Sequence, residues 1–573
     1  MKSRFYLTII LSLLFISAQG QNLDNVFKGL KERSQNGEWF KMSGGVSTAF
    51  NFNHITGMPR RFDPFTWRLN ANLNFDIAGI SAPFSAVFSN GSSVYNLPKY
   101  SFYGISPTYK YITLHLGDRS MNFSPYTLSG HNFYGAGLEL KPGNFRFSFM
   151  YGQLKRARAE DANSIQNFEP SYARKGWGFK TGYDNGKSKI GLILFNAADD
   201  PFSIPNPTQN LNVQPAANAV LGLEAKHQFW KIMSLSVDFA RSALTRNQNS
   251  FDLPTSNYNT WQKFGGLIQP NASTGFHHAI KTSLGLNTKL GQFNLNHERI
   301  DPGYKTLGAL FFNNDLENIT ASTSTSFFKK KLNLSANAGL QRNNISGDGS
   351  NSSNRFIGAL NAAYTASERL NLNLAISNFS TTNRMRAVTV PVVQVDSIIL
   401  VQTNQSANLS VTYLAGKEKT NVLTGMFSYQ QSNSIENDVI NKDQTTTYYM
   451  GVLAFNKSLA AQKMSLSASL MGNYGVIPNI QLLTVAPSFN ISKSLLEDKM
   501  NLSANVSLSG VWSNGENTNT ILTLQSNTSY RLFEKHQLSL QLSWVDSKQN
   551  AVGNGLTEAF SEFTGGVTYG LNF

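Results

Sequence analysis

The sequence predicts an all-β chain: a single large closed antiparallel transmembrane β-barrel of about 26 strands, within a range of about 22–28, led by a short N-terminal amphipathic helix. Three observations predict it. Apolar and polar residues alternate over stretches of roughly ten residues, the length a tilted strand needs to cross a bilayer. Short connections oppose long ones. The last residues alternate up to a terminal aromatic, Phe573.

The 573 residues include only 14% charged side chains but 12% aromatics, with 40 Phe and 21 Tyr. A length that suggests several soluble domains is also that of one barrel, which grows as a single sheet. Mean hydropathy is slightly negative, which excludes a stack of transmembrane helices. A sheet with one face toward lipid and the other toward a polar lumen accounts for the mixture. Cysteine is absent, so disulfides, thiolate zinc sites and a lipoprotein anchor are excluded.

The elements follow in chain order. Met1-Lys2-Ser3-Arg4, the apolar run Phe5–Ile16 and the small residues Ala18 and Gly20 read as a cleaved signal peptide over 1–20. Within 21–38, Leu23, Val26, Phe27 and Leu30 fall at helical spacing among charged residues, which predicts a periplasmic amphipathic helix. Such a stub is far shorter than a folded plug domain, so energised uptake through a plugged barrel is not expected.

The barrel is assigned to 39–573. Trp67, Leu69, Ala71, Leu73, Phe75 and Ile77 alternate with Arg68, Asn70, Asn72, Asn74 and Asp76. Leu332, Leu334, Ala336, Ala338 and Leu340 repeat the theme against Asn333, Ser335 and Asn337, as do Met500, Leu502, Ala504, Val506 and Leu508 against Asn501, Ser503, Asn505 and Ser507. Short turns are expected at Ala78-Gly79, Lys141–Asn144, Asn185–Lys187, Lys329–Lys331, Gly416–Lys419, Leu496–Lys499 and Phe533–Lys535. Long connections are expected near 55–65, 119–132, 155–175, 198–217, 244–276, 301–316, 343–354 and 383–400, in strict alternation with the short ones. Periplasmic turns opposed to extracellular loops, with an even strand count, place both barrel termini in the periplasm. Trp67, Tyr111, Trp177, Tyr364, Tyr413, Tyr448, Trp512 and Trp544 suit the interfacial girdles.

A formal net charge of +15 fits contact with outer-membrane lipid and lipopolysaccharide headgroups. No basic cluster interleaved with stacking aromatics is present, so nucleic acid is not expected as a partner. The eight histidines fall in no nucleophile-elbow or zinc-hydrolase context, so neither an enzyme, a catalytic residue, a metal nor a cofactor is expected.

Two connections are too apolar for free surface loops. In Arg119–His131, the residues Arg119, Asn122, Tyr126 and His131 are candidates for a loop folded into the lumen as a constriction. In the segment Arg299–Glu317, Arg299, Asp301, Tyr304, Lys305, Asp315 and Glu317 are candidates for the same role, with the charged members expected as an ion-pair lattice on the lumen wall. Their spacing matches no calcium loop.

The terminal alternation Phe563, Gly565, Val567, Tyr569, Leu571, Phe573 resembles the signal read by the barrel-assembly machinery, which makes Phe573 the assembly signal and that machinery a partner in biogenesis. With the leader ending Ala18-Gln19-Gly20-Gln21 and the Asn/Ser-rich strands, the chain resembles Bacteroidota-type, porin-like outer-membrane β-barrel proteins. The resemblance is at class level. The expected function is passive passage of solutes through a loop-constricted polar lumen. The alternative is a non-conducting structural, assembly or secretion component that docks surface or periplasmic proteins at its loops or periplasmic rim.

Overall fold

A strand that alternates apolar with polar side chains separates two media, and pairing decides which face meets which. The computed structural model describes residues 39–573 apart from 61, 78, 91–100, 160–169, 205–212, 255–263, 310–313, 344, 346–353, 386–397, 417, 437–438 and 551–558. The leader and the amphipathic stub therefore lie outside the described residues.

Among the described residues one sheet holds 27 strand elements. Phe102–Ile105 and Thr108–Tyr109 are two pieces of one crossing, so the wall has 26 strands. Each pairs antiparallel with its neighbours in the chain. The first strand, Phe40–Thr56, also pairs with the last, Phe560–Asn572, from Gly45 opposite Asn572 to Thr56 opposite Ser561. Closure leaves no edge whose N–H and C=O groups would face hydrocarbon unpaired, each at a cost of several kcal/mol.

The one interrupted crossing has a local cause. Pro107, between its two pieces, has no N–H for the ladder. The Ser106 N–H still donates to Pro83 O at 2.9 Å, and the Leu114 N–H donates to Pro107 O at 2.9 Å.

Both chain ends of the barrel lie at one rim, here the terminal rim; the other is the distal rim. Turns at the terminal rim are short, and several use left-handed residues, among them Lys329, Lys330, Lys419 and Asp498. The distal connections do not keep the expected strict alternation. Residues 478–479 and 514–515 each join two strands directly. At Asn514-Gly515 both φ values are positive, 51° and 89°, the conformation that an Asn-Gly hairpin favours. The strands in this part of the barrel are longer, up to the 21 residues of Val439–Leu459, about 69 Å of extended chain. They continue beyond the roughly 30 Å apolar layer. Their distal parts are polar on both faces, as in Gln430-Gln431-Ser432-Asn433 and Gln444-Thr445-Thr446-Thr447.

The outer wall is apolar. Leu295 (54%), Ile319 (54%), Leu340 (62%), Phe356 (61%) and Leu453 (64%) all stand exposed on it. For soluble proteins such a continuous apolar surface would drive association; on a closed sheet it is the surface that meets lipid. Tyr448 departs from the expected girdle. It pairs with Gln430 and Gly475 on the inner face, and its ring covers Gly475.

The two stretches of inner wall differ. From Leu332 onward it presents Asn, Ser and Thr, tied across strands by bonds such as Ser377···Ser406 (2.7 Å), Ser428 to Asn408 (2.6 Å) and Ser469···Ser488 (2.7 Å). The main hydrophobic core lies inside the barrel against the strands between Asn132 and Ile300, beneath segments of two distal loops.

Candidate functional site

The strands Asn132–Leu140, Phe145–Lys155, Arg174–Asp184, Ser188–Asp199 and Ala217–Phe229 turn small or apolar residues inward. Gly137, Gly178 and Gly222 are the decisive ones. A Cβ on Gly137 would lie 2.5 Å from Met121 Sδ, one on Gly178 2.6 Å from the Phe123 ring, and one on Gly222 2.9 Å from Thr127 Cγ2. Any side chain there would collide with the loop 121–131, so these glycines form its seat. Around them Phe133, Met150, Ile193, Phe195 and Val220 are almost fully buried and pack on Met121, Phe123, Tyr126 and Leu128.

Residues 301–309 of the second loop pack on the same wall beside the first. Gly308 and Ala309 pair in parallel with Leu128 and Ser129, forming a two-residue ladder between the loops. Tyr304 is fully buried, and its Oη donates to Tyr126 O at 2.6 Å. Thr306 Oγ1 donates to Thr127 O at 2.6 Å. Tyr126 and Tyr304 meet edge to face with centroids 6.5 Å apart. Tyr126 Oη donates to the wall carboxylate Glu298 at 2.5 Å.

The wall satisfies the loops' backbone as well. Lys180 Nζ donates to Phe123 O (2.6 Å) while paired with Glu224 (2.7 Å), and Lys189 holds the other Glu224 oxygen at 3.1 Å. Ser242 Oγ donates to Lys305 O (2.7 Å), and the Leu307 N–H donates to Asn218 Oδ1 (3.0 Å). A buried loop needs this provision, because each unpaired backbone group would cost about 1–3 kcal/mol.

Electrostatics follow from the enclosure. Burial pushes the Tyr126 phenol up, reinforced by the Glu298 carboxylate, and burial alone raises Tyr304, so both stay neutral donors. Burial lowers His131, and Arg174 lowers it further against a hydrogen bond to Asn132 O. Enclosure lowers the Lys305 amine, followed by the nearby Arg174 and Lys155.

The sequence candidates divide into two groups. Tyr126, Tyr304, Lys305 and His131 come together within the loop knot, with Asn122 exposed on its surface. Arg119 sits on the inner wall beside the interrupted crossing, donating to Ser85 Oγ (2.8 Å), Pro83 O (3.0 Å) and Gly104 O. The other charged candidates form no lattice on the lumen wall. Arg299 pairs with Glu317 on the face that carries Leu295 and Ile319, so both point outward. Glu317 is held there by His297 (3.0 Å) and Arg342 (2.7 Å), and Asp301 by His278 (3.1 Å). The reason is parity: adjacent residues on a strand face opposite sides, and Glu298, not Arg299, is the inward one. Asp315 is buried at a left-handed turn, where it accepts the Ile345 N–H at 3.0 Å. Phe573 donates its N–H to Gly44 O at 2.9 Å, closing the ladder.

Sequence reasoning missed Lys180, Asn218, Glu224, Ser242 and Glu298. A signal was present in the inward positions of Arg174–Asp184, which read Gly176, Gly178, Lys180, Gly182 rather than Asn and Ser. Inward glycine beside inward lysine marks a wall that another segment touches.

The fold and the lumen together define a large closed membrane-spanning β-barrel with a loop knot against one side of its interior. No family model matches the chain, and no curated protein matches it. Among solved structures it is similar to the P pilus usher (PapC) translocation pore, with 9% identity over 93% of this chain and 99% of that one, TM-score 0.38. It is also similar to a ferric enterobactin receptor (PfeA) mutant from Pseudomonas aeruginosa, with 10% identity over 92% and 80%, TM-score 0.37. A third is OccAB2 of Acinetobacter baumannii, with 10% identity over 67% and 98%, TM-score 0.27. Identities and scores of this size assign no family.

Proposed function

We propose that the chain is an outer-membrane channel for passive passage of solutes, inserted with its terminal rim toward the periplasm, surrounded by lipid and lipopolysaccharide and folded by the barrel-assembly machinery. One observation carries the reading. Among the described residues the loop knot covers only one side of the lumen, while the inner wall from Leu332 to Asn572 presents water-accessible Asn, Ser, Thr and Gln. A polar wall opposite a constriction leaves a path whose width the loops set, and selectivity then comes from size and lining.

Planar-bilayer recording of the purified protein tests this. A steady current that increases when Asn122–Ser129 is deleted supports the channel. A barrel that never conducts, in the presence or absence of those residues, overturns it. A second reading has its own support in the long strands around Val439–Leu459, whose distal parts are polar on both faces and extend past the apolar band. Such a rim suits docking of a surface protein, and a non-conducting barrel that co-purifies with one stoichiometric partner would favour it.

A further inference from the structure

Halfway round the wall from the strands that seat the knot, six amide side chains stand together on the inner face. Asn490, Asn505 and Gln525 are opposite one another on three successive strands. Asn527 and Gln541 are opposite each other one step nearer the terminal rim, and Asn501 lies one step further on. Neighbouring strands are about 4.8 Å apart, so the amides form a close array. Parity fixes their direction: Val506, Leu524, Leu540 and Trp544, on the alternate positions, stand exposed on the outer wall.

The array differs from the rest of the polar wall. Ser377, Ser406, Asn408 and Ser428 spend their side chains on one another across strands. Among the described residues the six amide groups have no hydrogen-bond partner, and Asn501, Gln525, Asn527 and Gln541 are exposed to the lumen. Here the wall hollows into a concavity of about 630 Å³, where Ser492, Ser539 and Thr568 join Asn501, Asn527 and Gln541. Charged residues stand at its borders. At the terminal rim Lys463 Nζ is on Asp498 at 2.6 Å, with Arg531 nearby. On the distal side Glu562 accepts Asn53 Nδ2 at 2.6 Å. Arg68 lies across the first strand, opposite Ala49, and Lys493 alternates to the outer face with Ile491.

We propose that this array and its hollow form a recognition track for neutral, hydroxyl-rich solutes, that is, for oligosaccharides. The proposal rests on the channel reading and gives it a substrate class. Each amide offers donors and an acceptor, and each hydroxyl offers both. A sugar hydroxyl is likewise donor and acceptor, so the track can receive it without any charge. An ionised solute would gain most from charge-assisted bonds, which are about twice as strong as neutral ones, and the middle of the array holds no ion to make them. A peptide would need recesses for its side chains besides partners for its backbone. Repeated weak bonds hold a passing solute without trapping it.

Planar-bilayer recording in KCl with maltohexaose added to both chambers tests it. The sugar should interrupt the wild-type current briefly and saturably. N501A/N527A/Q541A should shorten the interruptions about tenfold. N501D/N527D, which keeps the side-chain size and removes amide donors, should shorten them severalfold. Polyethylene glycol of equal size, with no hydroxyls along its chain, should interrupt far more briefly than the sugar. A conducting wild type that maltohexaose does not interrupt overturns the track and leaves the channel intact. So do interruptions equally long with polyethylene glycol, longer with a neutral Gly-Ser peptide, or unchanged in either variant. If no current flows, the channel reading fails, and calorimetry with maltohexaose on protein in a sugar-free detergent decides the track separately. Binding weakened about tenfold in N501A/N527A/Q541A supports it; no binding by the wild type overturns it.

Discussion

Between Asn132 and Ile300 the inner wall carries Gly, Phe, Ile and paired charges under two folded loops; between Leu332 and Asn572 it carries Asn, Ser, Thr and Gln facing water. The outer faces of both stretches carry exposed apolar side chains, Ile190 and Leu192 in the first and Leu340 and Phe356 in the second, each more than half exposed. The difference shows that one closed sheet can use two interior chemistries side by side. Where none of the described loops packs inside, short polar side chains hydrogen-bond across strands. Where a loop packs inside, the wall needs holes to receive it and fixed partners for its backbone.

The largest separation between the two regions is expected from Tyr304→Ala. It removes a fully buried ring and the bond to Tyr126 O, and large-to-small changes of this kind cost about 3 kcal/mol or more. The expected result is release of the knot: new protease cleavage within Met121–His131 and higher single-channel conductance, with the barrel's β-sheet circular dichroism retained. Unchanged cleavage and conductance would show that the knot does not depend on this anchor.

Gly178→Val comes next. Its Cβ falls 2.6 Å from the Phe123 ring, and overpacking of this sort costs about 1–3 kcal/mol. The 121–131 loop should become partly cleavable and the channel noisier, with a smaller mean change than for Tyr304→Ala. A variant as quiet and as protected as wild type would mean that the glycine seat is not a constraint.

The smallest effect is expected in the open region. Ser377→Ala removes one inner-wall bond, to Ser406 at 2.7 Å, worth about 1 kcal/mol. Thermal unfolding in detergent should shift slightly and conductance hardly at all. A conductance change as large as that of Tyr304→Ala would place the constriction on this side and erase the contrast.

Much of the wall could be read from local pattern. The period of two in Leu332–Leu340 and Met500–Leu508 names a strand and its two faces whatever its neighbours are. The closed 26-strand sheet follows from repeating that pattern without an edge. The Asn514-Gly515 hairpin was equally local, and was missed because the distal connections were assumed to be long.

The interior belongs to the other category. Tyr126 and Tyr304 are 178 residues apart, and nothing in either loop says that the other lies beneath it. Nor does the run Glu298-Arg299 state which of its charges enters the lumen; that depends on the register with Leu316–Phe327, since a shift of one residue exchanges the faces. The sequence by itself determined that the chain has two-faced strands in sufficient number to close. Only the tertiary structure decided which loops turn inward, which wall receives them and which charges enter the lumen, because these depend on contacts between segments far apart in the chain rather than on alternation within any one of them.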